Sequence, residues 1–361
     1  MKKYASVILA CLLLLISFNS VFVGADETKI PFKKGSGTND DPYQITTIEE
    51  LDGIRDYLDC CFVLMNNLDF EDDDSYANPE HKEMYITDEG WQPIGYYEKG
   101  TEFTGSFDGQ DYSISNLFVN QSSSVYSSLF GKIRTAEIAH LDLIDVYVVG
   151  RGDVGSVAGG SDKSTVIACS ASGMVIGSGF YVGGLVGWNT GSISDCNVSA
   201  DVTGDFYVGG LVGLNKGVIT DSSASGEVIG SDFKNEVRNI GGLVGGNSGS
   251  VMNSFASGNI TGNSYVGGLV GANWHNVSHC YAKGKVTSVW HNHGNITLGR
   301  RYVGKLTGAN FGNVSSSYAT GGVAFQGYVL GVFYHLLTHL LPERFSLDGL
   351  DWWMNNWSVI E

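Results

Sequence analysis

The sequence predicts an all-β fold, a parallel β-solenoid (β-helix) of about seven to eight coils with an N-terminal helix-containing cap. Three observations predict it. Glycine supplies 50 of 361 residues without the strict three-residue period of collagen. A Val-Gly-Gly-Leu-Val-Gly block recurs along the chain. A second block follows each copy at an almost fixed distance, with small or β-branched residues in matching places.

In chain order, the first element is an export signal. Lys2 and Lys3 precede an apolar run from Val7 to Phe18, and Val23-Gly24-Ala25 offers a small-residue cleavage site. Residues 1–25 are expected to be removed, leaving no integral membrane span. Ile8-Leu9-Ala10-Cys11 offers a lipobox as the alternative, but cleavage there would leave an apolar new terminus.

Residues 26–120 read as an acidic N-terminal cap and first coils. Between Asp26 and Asp111 stand 22 acidic and 6 basic residues, against a net charge of −17 for the whole chain. Nucleic-acid binding needs basic patches, so this balance argues against it. Thr47 and Glu50 form a capping box, and Ile48, Leu51, Ile54 and Leu58 make an apolar helical stripe. Phe62 to Phe70 reads as the first strand.

Residues 121–323 carry the repeats. The glycine block starts at Tyr126 in a degenerate copy, then at Val154, Val182, Val208, Ile240, Val266 and Val303. Anchored on Cys169, Cys196, Ser222, Ser254, Cys280 and Ser317, the second block has a β-branched residue three earlier. An alanine or valine follows two later, glycine or alanine four later, and valine or isoleucine six later. That alternation predicts one strand with one buried face. A repeat of this size cannot bury its apolar face alone, and parallel stacking of copies does so. Residues 324–361 read as a C-terminal cap or tail: Tyr328 to Leu341 is apolar, Pro342 ends it, and the run is too short to span a bilayer.

These residues carry a family resemblance. The recurring Gly-Gly-Leu-Val-Gly block resembles the GLUG-motif repeat family of archaeal and bacterial surface proteins, found also in non-catalytic regions of IgA-specific metallopeptidases. Gly35-Ser-Gly-Thr-Asn-Asp-Asp-Pro-Tyr-Gln-Ile-Thr-Thr47, Trp91-Gln-Pro-Ile-Gly95, Phe103-Thr-Gly-Ser-Phe-Asp-Gly109 and Ile114-Ser-Asn-Leu117 are similar to the leader of such proteins. The resemblance implies a secreted or cell-surface setting and little about biochemical function.

Catalytic and metal patterns are weak. His335-Leu-Leu-Thr-His339 lacks the glutamate of a metallopeptidase helix. His275, His279, His291 and His293 have no carboxylate or paired cysteine to complete a metal set. The acidic run from Asp69 to Asp74 lacks EF-hand spacing. Arg151-Gly152-Asp153 is too short a motif to carry an argument. Asp195 and Asp221 share a column, but Asn253, His279 and Ser316 occupy it afterwards, so no acid–base pair emerges. No cofactor is expected. Cys169 and Cys196 share a column, read as small-residue stacking with a disulfide as the alternative.

The candidate binding surface lies where repeats lengthen. The connections Ile229 to Asn239 and Thr287 to Tyr302 exceed the usual five residues and leave at the same corner. They carry Phe233, Lys234 and Arg238, and Trp290, His291, His293, Arg300 and Arg301. Phe255, Tyr281 and Tyr318 form an outward aromatic column beside them, read as a stabilising ladder with a sugar platform as the alternative. Asn120, Asn197, Asn259, Asn276, Asn295, Asn313 and Asn356 head glycosylation sequons. The expected function is an exported, non-catalytic, adhesin-like module that binds a cell-surface glycan or protein. The alternatives are a polysaccharide-active β-helix enzyme and an accessory segment of a larger exported protein.

Overall fold

A computed structural model describes residues 31–71, 86–87, 90–95, 101–231, 238–291 and 302–328. Each repeat runs once around a solenoid with three walls. The repeat from Val244 illustrates the circuit. Val244–Asn247 lies in the first wall, Ser250–Met252 in the second, and Phe255–Ala256, Ile260–Gly262 and Tyr265–Gly267 in the third. Val270–Asn273 then returns to the first wall, one layer on. Seven strands stack in the first wall and ten in the second. Pairings among the described residues are parallel, apart from Ile86–Thr87 with Gly90–Trp91 and Gly90 with Val119.

The solenoid makes about six turns, slightly fewer than the seven to eight coils expected. Among the described residues, Tyr43–Ile45 and Cys61–Leu64 build the second wall, while the first regular strand of the first wall is Phe130–Arg134, met one layer earlier by single parallel bridges from Ile94 and Phe103. Tyr43–Ile45 also precedes the segment expected to hold the first strand. Between these two strands stands the predicted helix, Ile48–Gly53, continued by a 3-10 turn over Ile54–Asp56. Thr47 Oγ1 accepts from Glu50 N at 3.1 Å, while the Glu50 carboxylate turns to Thr46, accepting from its N and Oγ1 at 2.7 Å each. The box is therefore closed one residue early. Ile48, Leu51 and Ile54 enter the core and Leu58 packs against it.

The second block is not one strand. Ser192–Ser194 belongs to the second wall and Asn197–Val198 to the third, with a corner between them at Asp195. That corner column is left-handed throughout: φ is 52° at Ala168, 56° at Asp195, 49° at Asp221, 51° at Asn253, 55° at His279 and 48° at Ser316. Asp, Asn and His tolerate this backbone best among non-glycine residues. The mixed acid, amide and imidazole column is thus a backbone requirement.

The inward columns are as expected. The anchors, the residues two after them and those six after them are buried from Cys169 through Val286. The apolar ones among them belong to one continuous cluster reaching from Phe32 to Val286. Cys169, Cys196 and Cys280 are free thiols within it. The interior is narrow. A Cβ on Gly268 would lie 3.1 Å from the Ala282 Cβ of the same coil. Ala282→Leu is therefore expected to overpack the core and cost about 1–3 kcal/mol. A melting temperature equal to the parent's would show that this column has room.

A ladder the sequence reading passed over lies at the end of the first wall. Asn189, Asn215, Asn247 and Asn273 are buried, and each Nδ2 donates to the next Oδ1. The distances are 3.0, 2.9 and 2.8 Å, and Asn273 donates at 2.9 Å to Asn310. Each Oδ1 also accepts the backbone N–H two residues on, as from Gly191 to Asn189 at 3.0 Å. The side chains thereby hold the corner and tie neighbouring coils.

Candidate functional site

The outward column stands where the repeat places it. Phe255 pairs in register with Tyr281, and Tyr281 with Tyr318. Because side chains alternate along each strand, Ala256, Ala282 and Ala319 point in while the rings point out. Parallel in-register pairing then stacks the rings: Phe255 on Tyr281 at 4.7 Å and 3°, Tyr281 on Tyr318 at 5.5 Å and 15°. Lys283 brings its Nζ to 5.0 Å from the Tyr281 ring centroid. The result is a flat aromatic strip across three coils with a cation at its side. Such a strip offers CH–π and cation–π contacts without reorganisation.

The two lengthened connections do leave from stacked strands. Val228 pairs with Ile260 and Ile260 with Val286, so the exits lie two coils apart, roughly 10 Å along the axis. The structure corrects their content. Trp290 and His291 are not loop residues: they end the strand Val286–His291, whose six residues pair with Val323–Tyr328. The β-branched residues Val286, Thr287 and Val289 favour this extension.

Arg238 is not presented to ligand either, being 2% exposed. Its Nη1 donates to the Asp205 carbonyl at 2.9 Å and lies 3.7 Å from the Asp205 carboxylate, while its Cζ sits 4.6 Å from the Phe206 ring centroid. Ser231 Oγ donates to the same carboxylate at 2.5 Å. Asp205 thus pins both ends of that connection. Phe233, Lys234, His293, Arg300, Arg301, Asn295 and Asn356 lie outside the described residues, as do the His335 and His339 pair and the residues from Asp72 to Asp74.

Other surface features went unread. Trp274 stacks on Phe311 at 6.1 Å and 17° along the corner between the first and second walls. Phe180 stacks on Phe206 at 4.7 Å, and Phe118 on Tyr147 at 5.7 Å. The signal for each was an aromatic at equivalent places in successive repeats. In the second wall, His140 Nδ1 lies 3.0 Å from Asp108 Oδ1 in a shallow groove shared with Asn39, Gln110 and Glu137. Among the described residues no three His, Cys, Asp or Glu side chains come together as metal ligands.

Of the sequons, Asn197, Asn259 and Asn313 are exposed, while Asn120 and Asn276 are half-buried. Their amides also serve the ladders: Asn197 Oδ1 accepts from Ser223 Oγ at 2.7 Å, and Asn313 Nδ2 donates to Asn276 Oδ1 at 3.2 Å.

Walls of parallel strands, glycine-rich repeats and ringed outer faces define a β-solenoid repeat protein. Four of its repeats, residues 178–203, 204–229, 237–261 and 262–287, match the GLUG motif. The chain is 34% identical over 155 residues to halomucin of Haloquadratum walsbyi, covering 42% of this chain and 2% of halomucin. It is 33% identical over 145 residues to a candidate Gly-rich membrane protein of Evansella cellulosilytica, covering 39% of this chain and 15% of that protein. The chain therefore spans only a small part of the curated relatives it matches. A crystal structure of a candidate immunoglobulin A1 protease from Bacteroides ovatus superposes with a TM-score of 0.56 at 22% identity. That match covers 80% of this chain and 87% of the other. At that identity the likeness is one of fold.

Proposed function

We propose that this chain is a non-catalytic, exported surface repeat module whose solenoid holds a glycan on the Phe255–Tyr281–Tyr318 strip. The observation that carries the reading is the strip itself: three rings held in register by wall pairing, with Lys283 alongside. Rings fixed by a β-wall lose little freedom on binding, which favours a polyhydroxylated ligand that lies flat. A neutral or anionic polysaccharide fits this strip and its lysine. The GLUG repeats and the likeness to halomucin and the Gly-rich membrane protein support a surface setting. The export signal expected at residues 1–25 points the same way. No helix among the described residues is long and apolar enough to cross a membrane.

The test is binding of the mature protein to a panel of neutral and anionic polysaccharides, with product analysis of the same mixtures. Tyr281→Ala removes the middle ring and is expected to weaken binding about threefold to tenfold, the equivalent of about 0.5–1.5 kcal/mol. The melting temperature should change little, because the ring is outside the core. Binding unaffected by Tyr281→Ala would move the site elsewhere. New reducing ends or unsaturated products would favour the enzyme reading.

A further inference from the structure

The solenoid's two ends differ. At the N-terminal end, Phe32, Tyr43, Tyr57 and Phe62 pack ring to ring over the first strands, with Phe32 stacked on Tyr43 at 4.4 Å. Ile48, Leu51 and Ile54 are buried beneath the same cluster. At the other end, Thr307–Asn310, Asn313–Ser315, Tyr318–Ala319 and Val323–Tyr328 each pair on one side only among the described residues. The columns that run dry through the molecule open there. Val277 and Ala282 are fully buried, yet Val314 and Ala319 one coil on are half-exposed. Leu269 is buried and Leu306 is half-exposed, while the Asn ladder ends on an exposed Asn310. Phe311 and Tyr318, 60% and 57% exposed, stand on the same last coil. An apolar cross-section rimmed by rings and unpaired backbone needs a cover.

We propose that residues 329–361 of this chain seal the C-terminal cross-section of the solenoid. The strand Val323–Tyr328 delivers the chain to the edge of that cross-section, and 33 residues follow it (361 less 328). One repeat takes 26 residues between Val182 and Val208, so the length suffices to cross the end once. The segment contains no further Gly-Gly-Leu-Val-Gly block, which favours a cap over another repeat. It is instead rich in large apolar groups, among them Phe333, Leu337, Trp352, Trp353 and Trp357, which suit a broad apolar surface. A second copy is the less favoured occupant. Head-to-tail stacking would need an open N-terminal end, and the aromatic cluster closes it.

Hydrogen exchange of the full mature chain tests this. Asn313 N donates to the His275 carbonyl, Tyr318 N to that of Cys280, and Thr320 N to that of Ala282, so these amides report fraying of the last coil. They are expected to exchange as slowly as the equivalent amides one coil earlier. A specific protease site inserted after Tyr328, cleaved and followed by removal of the released peptide, should speed them at least about tenfold. The amides of Val244–Asn247 should stay slow and show that the solenoid is intact. Adding the peptide back should restore protection. Fast exchange of the last coil in the uncut protein, or no change on removing the peptide, overturns the proposal. Protection that appears only in a concentration-dependent dimer by sedimentation also overturns it, in favour of a second copy.

Discussion

Asn247→Asp is expected to cost about 3–5 kcal/mol at neutral pH, the range for leaving a buried charge uncompensated. In the parent, Asn247 Nδ2 donates to Asn273 Oδ1 at 2.8 Å and to the Asn276 carbonyl at 3.2 Å. Its Oδ1 accepts from Asn215 Nδ2 at 2.9 Å and from Gly249 N at 3.3 Å. A carboxylate keeps the two accepted bonds and turns the other two into contacts between acceptors. The residue is fully buried, so water cannot relieve them. Burial raises the folded-state pKa of the introduced acid above its unfolded value. The sign follows: at low pH both states are protonated and the acid can donate one bond. The deficit then grows as pH rises through the unfolded carboxyl range towards the folded pKa. Urea unfolding at pH 4 and pH 7 measures both. A variant within 1 kcal/mol of the parent at pH 7, on the scale of an ordinary hydrogen bond, would show that the ladder does not hold the coils together.

Much of this fold could be read before the structure, because stacking makes every coil impose the same demand at the same place. Val166, Ile193, Ile219, Val251 and Val277 are interchangeable inward groups, and the recurrence alone placed them. The corners resisted reading for a physical reason. Asp195, Asn253 and His279 look like surface polarity in sequence, and their shared property is tolerance of positive φ, which side-chain chemistry does not announce. The Asn ladder was missed because it follows the glycine block by two residues, with the unlike residues Trp188, Leu214, Gly246 and Ala272 between. Arg238 was misplaced because a cation beside a lengthened connection reads as solvent-facing. The carboxylate and ring that take it inward lie on Asp205 and Phe206, one coil back. The aromatic strip was legible, since register carries each ring onto the next.

Asp153→Asn is expected to stabilise the protein at neutral pH and to remove a pH dependence. Asp153 lies in a second left-handed column, just before the first-wall strands, between Tyr126 and Tyr181 and with φ of 54°. Burial pushes its carboxyl up from 3.8 to about 6, and hydrogen bonds from Trp188 and Tyr126 offset only part of that. Tyr181 faces it and feels its charge. The folded state therefore holds the proton more tightly than the unfolded chain does. Stability from this group is fully present below about pH 4 and is lost as pH rises towards 6, after which the penalty is constant. Two pH units correspond to roughly 3 kcal/mol. Because the residue is only partly buried, solvent screening reduces the expected penalty to about 1–2 kcal/mol. Asparagine keeps the left-handed backbone at little strain and leaves an oxygen to accept from Trp188 or Tyr126. The desolvated charge is gone. Thermal unfolding from pH 4 to pH 8 should show the parent falling relative to Asp153→Asn up to about pH 6, then a constant gap. Parallel curves across that window, with no gain from the substitution, would place the Asp153 carboxylate in solvent.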